Sequence, residues 1–144
     1  MSDGPSNTFT VNLNTDKIVN DNPSSTSPIT VALNSNYFTI TPAADSNGYF
    51  EVPTSGSVTF NLNNNGSASV DSLAFTRFDD VEGQVISSTS ESGSEPTVMV
   101  VQINSNVTDG MTEAFALEVS FSTQSNPSIT YACFLDPTIR VKPT

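Results

Sequence analysis

The residues with the most chemistry in them are acids. Asp79, Asp80 and Glu82 stand together directly after the Phe75–Phe78 run, and Asp109 and Glu113 sit around a second turn. Calcium takes about six to eight oxygen ligands, several of them carboxylates, and sandwich loops can supply them. Asp79, Asp80, Glu82, Asp109 and Glu113 are therefore the candidate metal ligands. They lack the D-x-D-x-D-G register of an EF-hand loop. In an acidic chain such a group is ordinarily a solvated turn, so no metal and no other cofactor is expected. Asp21, Asp45 and Glu51 read the same way, as solvated acids.

Other chemistries lack their partners. Paired carboxylates could do glycosidase-type acid/base work, but with 15 acidic residues some spatial pair is inevitable. Serine is abundant, yet the chain has no His, and its lysines, Lys17 and Lys142, lie near opposite ends. No G-x-S-x-G elbow and no phosphate-cradling glycine loop occurs. No catalytic residue is expected and the chain reads as a non-enzyme. Cys133 is the one cysteine, so an internal disulfide is excluded. A reactive thiol needs positive charge beside it; the nearest in sequence is Arg140, on the next run, and Cys133 reads as a small buried hydrophobe. Asn65-Gly66-Ser67 and Asn106-Val107-Thr108 match the glycosylation pattern, as chance allows in a chain this rich in Asn, Ser and Thr.

Charge and composition narrow the classes further. A net charge of −11 over 144 residues repels phosphate backbones, so nucleic acid is excluded as a partner. No apolar run approaches the ~18–20 residues of a membrane span. The opening residues have no basic region followed by an apolar stretch, so no signal peptide is expected. That fits a cytoplasmic or virion protein better than a secreted one, or a mature chain whose leader has been removed. Nine Phe, three Tyr and many Val and Ile argue against disorder despite the polar bulk.

The elements that must position these residues are strands. Alternation at period 2 puts Phe9, Val11 and Leu13 on one face, and likewise Ile29, Val31 and Leu33, then Val58, Phe60 and Leu62. Phe115, Leu117, Val119 and Phe121 alternate with Ala114, Ala116, Glu118 and Ser120. Ile129, Tyr131 and Cys133 follow, then Ile139 and Val141. Residues 97–103 are apolar on both faces, as in a doubly covered strand or one with an interface face. Asn47-Gly48, Asn65-Gly66 and Asp109-Gly110 suit tight hairpin turns. Pro42, Pro53, Pro96, Pro127 and Pro137 fall at run edges. Helix signals are nearly absent; residues 107–116 read as a hairpin. Residues 14–28 read as a surface loop or crossover, and residues 87–96 as an acidic surface loop. No internal repeat is visible.

The closing residues are the most distinctive. Asp136-Pro137-Thr138-Ile139-Arg140-Val141-Lys142-Pro143 follows the strand at 128–134 through what reads as a sharp corner. This ending resembles the "DP" strand of the DP-EP family of small bacterial all-β proteins, with Lys142 rather than an acid before the last proline. The resemblance implies an immunoglobulin-like sandwich and brings no catalytic residues with it.

The expected fold is all-β: residues 1–7 a tail, and residues 8–144 one antiparallel two-sheet sandwich of about seven to nine strands, immunoglobulin-like without a disulfide, with a jelly roll as the alternative. The expected function is a non-catalytic structural or interaction module, a bacterial accessory or phage structural protein that binds a protein partner or itself. The alternative is a calcium-dependent carbohydrate- or surface-binding domain, which requires the five acids above to converge.

Overall fold

The computed structural model describes residues 5–142 other than 24, 33, 68, 81–83 and 92–96. The alternating run at the start forms β1 (Thr8–Leu13), whose Phe9, Val11 and Leu13 are buried. The chain is already tied down just before it. The Ser6 amide donates to the Glu51 carbonyl and the Asn7 carbonyl accepts from Thr59, so residues 6 and 7 are bonded to the sheets.

Residues 14–28, expected as loop, hold a helix, α1 (Thr15–Asp21). Asn14 caps it by accepting the Lys17 amide at 3.3 Å, and side chains of this type are favoured there because they satisfy an orphan donor. Lys17 and Asp21 pair one turn apart at 3.3 Å. Ile18 is fully buried. The helix start locks onto the turn after β5 (Ser57–Asn64): Thr15 donates to Asn64 at 2.7 Å, and the Asp16 carboxylate accepts from both the amide and the hydroxyl of Ser67 at 2.7 Å. A side chain at Gly66 would run into the Thr15 hydroxyl, so the glycine here serves close packing rather than an unusual φ.

Among the described residues there are eleven strands. The first sheet runs β3 (Phe38–Thr41), β1, β5, β8 (Val98–Ile103), β7 (Ile86–Glu91). β1 and β5 are parallel, with Phe9 opposite Phe60; the other pairs are antiparallel. β7 occupies the first half of the stretch expected to be loop. β8 lies inside the sheet with Met99, Val101 and Ile103 buried, while Val98 and Val100 stand half-buried on the outer face. Much of the remaining outer face of β3, β1 and β5 is Thr and Asn: Thr10 of β1 sits beside Thr41 and Asn61, and Asn12 beside Thr39 and Asn63.

The second sheet is organised by β9 (Thr112–Thr123). β6 (Val70–Asp80) pairs with one edge of it. On the other edge lie β10 (Asn126–Leu135) and then β11 (Thr138–Val141). Leu135 faces Leu117 and, three residues on, Thr138 faces Ala114, so the register does not slip across Asp136-Pro137. In place of the sharp corner expected there, β10 and β11 follow one another along the same edge of β9 with two residues between them, and the Pro137 carbonyl still accepts from Phe115 at 3.1 Å. β11 does not lie beside β10. The other edge of β10 takes β2 (Ile29–Val31), and β11 takes β4 (Phe50–Val52), both in parallel.

The two sheets face each other across one buried cluster. Phe60 of the first sheet meets Phe115 of the second edge-to-face at 5.7 Å, a favoured aromatic geometry. All-β architecture is as expected, but the sheets are mixed, with three parallel pairings where antiparallel ones were expected. The turns show why. Gly48 (φ 88°) and Gly110 (φ 89°) do adopt the left-handed conformation, yet the strands flanking each belong to different sheets, and the same holds around Asn65-Gly66. These turns carry the chain from sheet to sheet. Strands delivered this way find neighbours from distant parts of the sequence and can lie parallel to them.

Candidate functional site

Of the five candidate ligands, Asp109 and Glu113 stand in different environments. Asp79 and Asp80 end β6, their backbones opposite Ala116 and Phe115. Glu82 lies outside the described residues. Asp109 is exposed in the turn before β9. Glu113 is 1% exposed, and its Oε1 accepts the Val85 amide at 2.6 Å and the Ile86 amide at 3.1 Å. It sits on the same face of β9 as Phe115 and Leu117, so its carboxylate enters the core and anchors the chain where β7 begins. Among the described residues, no group of three or more Cys, Asp or Glu side chains is disposed to hold a metal ion.

The structure instead gathers acids read as solvated. Arg140 and Lys142 project from the outer face of β11, because Ile139 and Val141 occupy the inner one. Nη2 of Arg140 lies 2.7 Å from Asp45 Oδ2 and 3.1 Å from Glu51 Oε2. Lys142 Nζ lies 3.2 Å from the same Glu51 oxygen. The guanidinium also stands over the Tyr49 ring, 5.4 Å from its centroid, a cation–π placement. Asp45 Oδ1 accepts the amides of Asn47 and Tyr49, which closes the turn at Gly48. Asp21 is partnered too, accepting from the Tyr37 hydroxyl at 3.1 Å.

Beside this network a concavity of about 490 Å3 is lined by Asp109, Gly110, Arg140 and Lys142. Its cations are both held by carboxylates, and none of its lining groups is a nucleophile with a base beside it. The arrangement can act as a clamp, fastening the turn at 45–49 and β4 to the last strand. The Tyr49 amide holds the Asp45 carboxyl below its ordinary value, and the Asn47 amide, Arg140 and Lys142 act in the same direction against the opposing effect of burial. A carboxyl whose folded value is lowered contributes stability above its unfolded value of 3.8, and that contribution fades as pH falls through the lower folded value. Asp45→Asn is therefore expected to lower the melting temperature at neutral pH and to shrink the difference from the parent as pH drops below about 4; melting curves from pH 7 to about 2 check this.

Cys133 is buried beside Tyr131 and Leu135 on the inner face of β10. Burial, with the nearby Glu118 charge adding to it, pushes its thiol up to about 12. Arg140 is committed to Asp45 and Glu51 and does not activate it. A thiol reagent at pH 8 is expected to label Cys133 in the native protein at least ~100-fold more slowly than in denaturant, because the thiolate is the attacking species. Equal rates would contradict the placement of this face against the core.

No protein-family model matches the chain, and no curated protein matches it in sequence. Among solved structures, the fold is similar to that of an inclusion body protein, PixA, from Burkholderia cenocepacia. The TM-score is 0.65 at 13% identity, over 99% of each chain. At this identity the likeness is one of fold.

Proposed function

We propose that this chain is a non-catalytic structural protein that associates with copies of itself into dense bodies. The observation that carries the proposal is the likeness, over 99% of both chains, to a protein described as an inclusion body protein. The acids and cations of the candidate site support it, since they are engaged in holding β4 and β11 together. The calcium-dependent alternative has less support, because the Glu113 carboxylate already accepts two buried amides. For the fold, the finer assignment we propose is a disulfide-free immunoglobulin-like sandwich rather than a jelly roll, supported by two facing sheets in which β7 and β8, and β9 and β10, stay paired within one sheet while the strands before them pass between sheets. Kinship with the DP-EP family is part of the same proposal and rests on the closing residues alone.

Expression at high level in a bacterial host tests the function. The expected result is dense bodies that dissolve on dilution into native buffer and release folded β-rich protein. Protein that stays dispersed at the same level, or bodies that dissolve only in denaturant, would overturn the reading.

A further inference from the structure

We propose that the outer face of the β3-β1-β5-β8 strands is where two copies of this chain meet, face to face. The inference rests on the self-association proposed above and assigns it a surface. The chain carries a net charge of −11, so two copies repel wherever their carboxylates approach within a Debye length, ~8–10 Å at ordinary ionic strength. Yet none of the outward-facing residues of these four strands is charged. The outer face of the second sheet differs: it carries Glu118 and the Arg140 network. The uncharged face is therefore where two such chains can touch at least electrostatic cost.

Its chemistry suits contact. Thr59 offers a methyl group beside the half-buried Val100 and, on its other side, lies next to Thr8. The polar groups between them are partly satisfied within the sheet: the Asn63 amide donates to Asn12 Oδ1 at 3.0 Å, and the Asn12 amide donates to the Thr39 carbonyl at 3.3 Å. Covering groups already paired costs less than covering free ones. Four strands at ~4.8 Å spacing and ~20–25 Å length give a face of roughly 400–500 Å2, below the ~800 Å2 per partner of a stable complex. The contact is accordingly weak in dilute solution and effective when copies are crowded. A patch meeting itself closes a two-fold pair, so the pair is the unit expected to form first.

The test is sedimentation velocity on the full chain over a wide concentration range. The parent is expected to shift toward twice the monomer mass. Thr59→Lys with Asn61→Lys lowers the net negative charge, which by itself would favour association, but sets lysines against their twins across the contact. It should associate at least tenfold more weakly. Ala114→Lys with Ser128→Lys, the same charge change on the exposed face of the second sheet, should associate at least as well as the parent. In case the lysine pair does not fold, Thr59→Cys gives a second readout: mild oxidation should link it into dimers, while Ala114→Cys stays monomeric. A parent that associates while the Thr59 and Asn61 lysine variant, folded, associates equally would overturn the assigned face and leave self-association standing. Failure of Thr59→Cys to cross-link under conditions where the parent dimerises would do the same. A parent that stays monomeric throughout would overturn the function reading itself.

Discussion

Ile139→Asp with Val141→Asp is expected to leave the protein unfolded or aggregated. Both side chains are essentially fully buried, and burying each contributes about 1.5–3 kcal/mol, before the cost of forcing carboxylates into the same space. β11 also holds the second sheet together. Ile139 lies opposite Glu113 on one side and Phe50 on the other. The Val141 amide donates to the Met111 carbonyl at 2.8 Å, and the Lys142 amide to that of Val52 at 2.9 Å. Without the strand, β4 loses its only partner in the sheet among the described residues, and the Arg140 clamp loses its base. Since a domain of this size has only ~5–15 kcal/mol of stability, the loss is decisive. Removing everything from Pro137 onward should act in the same way. Far-UV circular dichroism and size exclusion read the outcome; a monomer melting at the parent temperature would contradict it.

Glu113→Ala should cost about 2–6 kcal/mol, because two buried amides, those of Val85 and Ile86, would lose their acceptor at ~1–3 kcal/mol each. Glu113→Gln keeps one oxygen in place and should recover part of the loss. Urea unfolding midpoints measure both. Millimolar calcium should move the melting temperature of neither the parent nor the variants. A parent stabilised by calcium, with the effect absent in Glu113→Ala, would instead make Glu113 a ligand, since a ligand bound only by the native state stabilises it by mass action.

Glu113 also shows how far the sequence could be read. Alternation through Phe115, Leu117, Val119 and Phe121 names the buried face of β9, and extending it by one step puts Glu113 on that face. Seen as one more acid in an acidic chain, it passes for solvated. The same applies to Arg140 and Lys142, which the burial of Ile139 and Val141 places together on the outer face of β11. Their partners Asp45 and Glu51 were out of reach, because a parallel pairing between β4 and β11 leaves no local trace in either segment. Strands came through where one face is buried and the other wet, since period 2 is then enforced by the core. The helix α1 was hidden by its shortness: it has one buried apolar residue per turn at most, and its signals are the Asn14 cap and the Asp16 that follows. The glycine turns were legible as turns, but a left-handed residue serves a change of sheet as well as a hairpin, so the partners they join could not be read from them.

Self-association requires that native copies attract one another. Sedimentation velocity from ~10 μM to ~1 mM, at low salt and at ~0.5 M salt, measures this with one instrument. The predicted result is a mass that rises with concentration and rises further in high salt, because screening relieves the mutual repulsion of chains with a net charge of −11. A folded monomer at every concentration and in both salts would contradict it.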